Sequence, residues 1–214
     1  MTLEEAIKSR HAVRAFKKQP IDQTTVCTLE KEAAACCQES GLHLHLVTGD
    51  EKVFDCLMAR YGKFRNVANY FVVAGRKDDP QLERKCGYYG ERLVLLAQQL
   101  GLNTCWVSTS FKKNNERMQL ADGEKLVCVI AVGYGETNGQ VHKTKSFDDV
   151  CSLKDVSDTF KKGVEYALLA PSSFNQQRYR ITLKDGKGVV EAKWGFFTKI
   201  DAGIAQYHFD VAFM

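Results

Sequence analysis

The sequence predicts an α+β fold in which one order of helices and strands is written out and then resumes in shortened form. Three observations carry this prediction. Segments with helical spacing of apolar residues alternate with short runs that alternate or are continuously apolar. A polar connection, Gly135 to Lys145, interrupts the pattern, after which helix, strand, strand and helix follow again. Finally, Asp201-Ala202-Gly203-Ile204-Ala205 resembles the start of the earlier long helix around Cys86-Gly87-Tyr88-Tyr89. An imperfect internal duplication follows as the expectation, with a first half over residues 1–148 and an abbreviated second half over 149–214.

Taken in order, Thr2 to Arg10 reads as a short helix with Leu3, Ala6 and Ile7 on one face and Thr2 as cap. Asp22 opens a second helix, whose Val26, Leu29, Ala33 and Cys37 recur at helical spacing until Gly41 stops it. Leu42 to Val47 alternates and predicts a half-buried strand; His43 and His45 fall on its polar, solvent-facing side, which outweighs a metal pair. Glu51 to Arg60 is expected to be helical and Tyr70 to Gly75 a strand. Gln81 to Leu100 predicts a long helix closed by Gly101, with Tyr88, Leu93, Leu96, Ala97 and Leu100 buried. Asn103 to Ser108 is extended, and the apolar run Leu126 to Val132 predicts a central strand. In the second half, Val156 to Leu169 is a helix, Tyr179 to Leu183 and Val189 to Trp194 are strands, and Asp201 to Phe213 is helical. That last pattern runs to the final Met214, leaving room for a further segment beyond it.

Composition narrows the classes of function. A chain of 214 residues, 44% hydrophobic and 26% charged, matches an ordinary soluble protein. Its net charge of +4 comes from scattered lysines and arginines, which argues against nucleic-acid or membrane binding and suits an anionic ligand equally well. No apolar run approaches a membrane span, and no signal-peptide pattern opens the chain. The eight cysteines lie mostly among aliphatic neighbours without any C-x-x-C spacing, which predicts buried free thiols and a cytoplasmic location, with no metal.

Arg10, His11 and Arg14 cluster just after the first helix, and arginines offer planar charged donor forks suited to phosphate. Pro171-Ser172-Ser173-Phe174-Asn175 follows another helix and reads as a helix stop with a turn rich in side-chain hydrogen bonds. Gly101-Leu102-Asn103-Thr104-Cys105-Trp106-Val107-Ser108 and His142-Lys143-Thr144-Lys145 complete the distinctive segments.

These pieces resemble the FMN-dependent nitroreductase family. The resemblance implies a mostly antiparallel central sheet with flanking helices. The stretch Ile7 to Phe16 is similar to the family's opening pattern, whose basic residues hold the FMN phosphate, ribityl chain and pyrimidine edge; this assigns cofactor contacts to Arg10, His11, Ala12 and Arg14. Ala12 stands where a serine is common, a loss of one donor and about 1 kcal/mol of binding. Pro171, Ser172, Ser173 and Asn175 match the loop that lies against the flavin ring from the opposite subunit, although the usual Gln-Pro-Trp continuation reads Gln176-Gln177-Arg178 here. Thr109 and Ser110 would supply backbone donors near the ring, and Lys143 and Lys145 would occupy the place of a phosphate-binding basic pair.

In ordinary members the serine loop follows the second helix, but Ala33 to Ser40 lacks it here, and the loop reappears only after Val156 to Leu169. The second half in turn lacks the arginine motif, reading Leu153-Lys154-Asp155-Val156. This complementary loss suggests a single chain imitating a dimer, a monomer with one composite site. The function so implied is NAD(P)H-dependent, FMN-mediated reduction of small electron-poor acceptors such as nitroaromatics or quinones, with no protein residue acting as nucleophile or general acid. The alternative is a non-catalytic flavin-binding or flavin-free member of the family.

Overall fold

In the computed structural model, which describes residues 1–113 and 116–214, helix α1 (Leu3–Ser9) opens with a reciprocal cap. The Glu5 N–H donates to the Thr2 hydroxyl at 3.2 Å, and the Thr2 N–H donates to the Glu5 carboxylate at 2.8 Å. Helix α2 (Gln23–Ser40) is capped by Asp22, which accepts from Thr25 N–H at 2.9 Å, and ends at Gly41 with φ of 71°. Such a left-handed stop is open to glycine at little cost.

Strands β1 (His43–Val47), β2 (Tyr70–Arg76), β3 (Asn103–Val107) and β4 (Glu124–Gly133) form one sheet in the order β1-β2-β4-β3, with every pairing antiparallel. The α+β architecture with an antiparallel sheet, which the resemblance implies, is therefore present. Strand β2 is buried from Tyr70 through Gly75, which explains its continuous apolar run. Successive side chains feed opposite layers: Phe71 and Val73 pack with Leu29 and Leu93, whereas Tyr70 and Val72 pack with Val53 and Met118.

Two sequence expectations change in this half. The helix expected over Glu51 to Arg60 is only α3 (Leu57–Tyr61); Val53 and Phe54 reach the core from a turn, where Asp50 accepts from Lys52 N–H at 3.1 Å. A buried apolar pair mimicked one helical face. His43 and His45 do not simply face solvent. Both are half-buried, with His43 Nδ1 2.6 Å from Glu124, His43 Nε2 3.1 Å from His45 Nδ1, and His45 Nε2 3.0 Å from the Arg117 carbonyl.

Helix α4 (Leu82–Gln99) packs on both sides, so its buried surface is not the single stripe expected: Leu93 and Ala97 are buried, Tyr88, Leu96 and Leu100 are only half-buried, and Cys86, Gly87, Gly90, Glu91, Val94 and Leu95 are buried instead. After α5 (Phe147–Val150), helix α6 (Asp158–Leu169) starts later than its apolar pattern because Ser157 takes the cap, accepting from Phe160 N–H at 3.2 Å. Strands β5 (Tyr179–Lys184) and β6 (Lys187–Ala192) form a separate antiparallel hairpin around Asp185-Gly186, both at positive φ. Helix α7 (Thr198–Val211) begins before Asp201.

Helices α4 and α7 meet through two glycines in a reciprocal way. A Cβ placed on Gly87 would lie 2.1 Å from the Ile200 carbonyl oxygen and 3.0 Å from Ile204 N. One placed on Gly203 would lie 2.1 Å from the Arg84 carbonyl oxygen and 2.9 Å from Tyr88 N. Positions 84, 87 and 88 thus meet 200, 203 and 204 with the same spacing on each helix, the form a two-fold contact takes. All eight cysteines are free thiols, and burial pushes those of Cys36 and Cys86 up to about 12. Among the described residues no helix is long and apolar enough to cross a membrane.

Candidate functional site

Beyond α1 the chain turns extended at Arg10 and lies along the edge of the sheet. Val13 N–H donates to the Thr104 carbonyl at 3.0 Å, Arg65 N–H to the Arg14 carbonyl at 2.9 Å, and Phe16 N–H to the Arg65 carbonyl at 3.1 Å. Extended backbone sends successive side chains to opposite sides. Val13 is accordingly buried between the exposed Ala12 and Arg14; the alternation breaks at Ala15, and Phe16 is buried as well. The Arg14 guanidinium lies 6.0 Å from the centre of the Phe64 ring.

The loop after α6 is held in an unusual backbone shape. Phe174, Asn175 and Gln177 have φ of 53°, 52° and 43°, each a cost of about 1 kcal/mol for a side chain other than glycine. Hydrogen bonds offset it. Ser173 donates to Asp201 Oδ1 from both N–H, at 2.9 Å, and hydroxyl, at 3.1 Å, while Gln176 Nε2 donates to Asp201 Oδ2 at 2.9 Å. Gln177 N–H donates to the Ser172 hydroxyl at 3.0 Å and its side chain to the Leu168 carbonyl at 2.8 Å.

These two segments meet. Arg10, Ala12 and Arg14 line one side of a cavity of about 150 Å³, and Pro171, Ser172 and Ser173 line another. Phe174, Trp106 and Asp201 also line it. Ala12 and Arg14 also line an adjoining cavity of about 1030 Å³, together with Lys63, Arg65 and His142.

The other sequence candidates lie elsewhere. His11 is half-buried outside the smaller cavity's lining, and burial with the neighbouring Arg10 charge lowers its pKa. Ser108 lines the cavity where Thr109 and Ser110 do not. The Asn175 side chain donates to the Lys143 carbonyl at 2.8 Å. Lys145 donates from its backbone to Gln177 Oε1 at 2.8 Å and from Nζ to the Gln177 carbonyl at 2.9 Å, so this lysine fastens the serine loop.

Three buried ionisable residues escaped the sequence reading: Asp201, which lines the cavity, and Glu91 and His208, which lie behind Arg10. Glu91 is fully buried on α4 and accepts from Trp106 Nε1 at 2.8 Å. His208, also fully buried, places Nε2 2.8 Å from Glu91 Oε1 and Nδ1 3.0 Å from the Tyr166 carbonyl oxygen. Arg10, 3% exposed, sets Nε 3.7 Å from Glu91 Oε1 and donates from Nη2 to the Leu169 carbonyl at 3.4 Å. The available signal was a glutamate and a histidine on otherwise apolar helix faces. The third, Asp201, lies 1% exposed at the start of α7.

Burial raises the Asp201 pKa above 3.8, against the opposing Ser173 and Gln176 hydrogen bonds. A carboxyl raised in the folded state contributes stability below its ordinary value and loses it as pH rises through the raised value. Urea midpoints of the wild type, measured across the acid range, are therefore expected to fall with rising pH relative to Asp201→Asn. A pH-independent difference between the two would contradict this.

Comparison with known proteins then places the chain. A family model described as "Putative TM nitroreductase" matches residues 2–213. The chain belongs to this family. Among solved structures, a nitroreductase-fold protein of Thermotoga maritima, described as putative, is 22% identical with a TM-score of 0.69, over 99% of this chain and 83% of that one. A nitroreductase of Bacteroides fragilis with bound FMN is 18% identical with a TM-score of 0.50, over 68% of this chain and 94% of its own. A protein of Clostridium acetobutylicum described as "Putative NADH Oxidase" is 19% identical with a TM-score of 0.53, over 70% and 99%. No curated protein matches the chain. These likenesses establish the nitroreductase fold, and the first spans nearly the whole chain.

Proposed function

We propose that this nitroreductase-family protein is an FMN-dependent oxidoreductase that takes electrons from NAD(P)H and passes them to small electron-poor acceptors such as nitroaromatics or quinones. The observation that carries the reading is the convergence of Arg10, Ala12 and Arg14 with Pro171, Ser172 and Ser173 on one cavity. The donor set fits FMN. Arg10 Nε is buried without a hydrogen-bond partner, Arg14 stands exposed beside it, and two serines face the same space. The flavin, when bound, supplies the electron transfer. The chain's own residues bind and orient: Arg10 and Arg14 offset anionic charge, Ser172 and Ser173 hold polar edges, and Lys63 supplies a further cation in the adjoining cavity, where Arg65 is paired with Glu136 at 2.8 Å.

On this reading the chain works as a monomer that imitates a dimer, with residues 1–148 and 149–214 each giving half of one composite site. The reciprocal contact of Gly87 and Gly203 supports it, as does the origin of the two motifs in different halves.

The deciding experiment is the visible spectrum of purified protein after incubation with FMN and desalting. Retained bands at roughly 370 and 450 nm support the flavin reading, and NAD(P)H oxidation with nitroaromatic and quinone acceptors then tests turnover. Protein that retains no flavin favours the non-catalytic alternative, for which Ala12 and the engagement of Lys145 with Gln177 are the favouring observations. Ala12→Ser restores a hydroxyl to the cavity wall. It is expected to tighten FMN binding by about 1 kcal/mol, roughly fivefold, in a flavin-fluorescence titration. An unchanged affinity would remove Ala12 from the binding surface.

A further inference from the structure

We propose that Glu91 and His208 share one proton behind Arg10, and that this proton couples the binding of an anion in the composite cavity to pH. The ligand side of the inference rests on the flavin reading above; the proton side stands on the protein alone.

His208 Nδ1 is 3.0 Å from the Tyr166 carbonyl oxygen, which can only accept, so Nδ1 carries a hydrogen. A neutral ring then presents a lone pair at Nε2. Glu91 Oε1, at 2.8 Å, presents another when the carboxylate is ionised. Both side chains are 0% exposed, so bulk water does not separate these lone pairs. A proton between them turns a repulsive contact into a charge-assisted hydrogen bond. Trp106 Nε1 donating to the other carboxylate oxygen, together with nearby Arg10, favours the carboxylate–imidazolium form.

Charge counting connects the pair to the cavity. With its proton the Glu91–His208 pair is neutral, and Arg10 leaves the network at one positive charge. Without it the network is neutral, and the paired atoms repel. An anion beside Arg10 therefore favours retention of the proton, and by reciprocity the proton strengthens anion binding.

The surrounding groups leave this balance in place. Burial and the Arg10 charge hold His11 and His142 down, toward their neutral forms. Burial raises the Cys105 thiol, keeping it protonated, and raises the Tyr166 and Tyr207 phenols. Asp201 shares the cavity, but its two oxygens accept from Ser173 and Gln176. Arg14 lies at the exposed side. Arg10 joins the two sides: its Nε lies 3.7 Å from Glu91 Oε1, and the residue lines the cavity, so its charge is shared between the buried pair and an anion bound there.

The first test needs no flavin. In histidine-labelled protein, nitrogen NMR at neutral pH is expected to show hydrogens on both ring nitrogens of His208, with the Nε2 proton strongly deshielded. A bare Nε2 in the wild type would overturn the proposal. Glu91→Gln is expected to leave a hydrogen on Nδ1 alone.

The second test measures FMN affinity against pH. The wild type is expected to weaken by up to about tenfold per pH unit where the shared proton is lost, and His208→Gln to show no such slope. An equal slope in both would overturn the coupling. If the wild type binds no FMN at any pH, the flavin reading fails separately. Inorganic phosphate then replaces FMN while the His208 resonances are followed. Phosphate is expected to move the proton loss to higher pH, and an unmoved titration overturns the coupling.

Discussion

Gly203→Ala is expected to destabilise the protein by about 3 kcal/mol, measured by urea denaturation followed by circular dichroism. The new methyl would sit 2.1 Å from the Arg84 carbonyl oxygen and 2.9 Å from Tyr88 N. Both are backbone atoms within a helix, so no side-chain rotation relieves the clash. Helices α4 and α7 must separate, and separation opens space around Leu95 and Tyr207 in the core they share. Gly87→Ala meets the Ile200 carbonyl oxygen at the same 2.1 Å and should cost a similar amount. The double variant should cost less than the sum, because one separation makes room for both methyl groups. Losses under about 1 kcal/mol at both positions would mean that the helices are not docked this closely.

Glu91→Ala should be the most damaging single change among the described charged residues, at about 3–5 kcal/mol. It removes the acceptor for Trp106 Nε1 and the partner of His208 and leaves Arg10 with less compensation, all in a region sealed from water. Burial already presses the Arg10 pKa downward, and the Glu91 charge opposes that pressure. Glu91→Gln keeps oxygen and shape and should lose less. The exposed Arg60–Asp55 pair gives the contrast: its side chains are 74% and 62% accessible, and breaking it should cost no more than about 1 kcal/mol. Chemical denaturation of the three variants provides the check, and similar losses for Glu91→Ala and Asp55→Ala would refute the role given to the buried network.

Much of the fold was legible because its causes are local. The Thr2 and Asp22 caps, the left-handed Gly41 and the apolar run at β4 each depend on residues within a few positions. Where reading failed, distant packing had produced a local pattern. Val53 and Phe54 are buried without a helix, and Ser157 rather than Val156 sets the start of α6. The cavity was legible in its residue types but not in its membership. The sequence reading assigned Lys145 by its charge, whereas its ammonium reaches the Gln177 carbonyl; Lys143 meets the same loop through its backbone carbonyl alone.

Sequence alone specified the element types and the two motif fragments, because helical periodicity, alternation and capping act over a few residues. Tertiary structure decided which fragments meet. The hydrogen bond from Arg10 to Leu169 spans 159 positions, and Glu91 reaches His208 across 117. No local rule encodes such distances. They follow from α4 and α7 approaching closely enough at Gly87 and Gly203 to bury polar groups of both halves together, and that closeness forces those groups to become one another's partners.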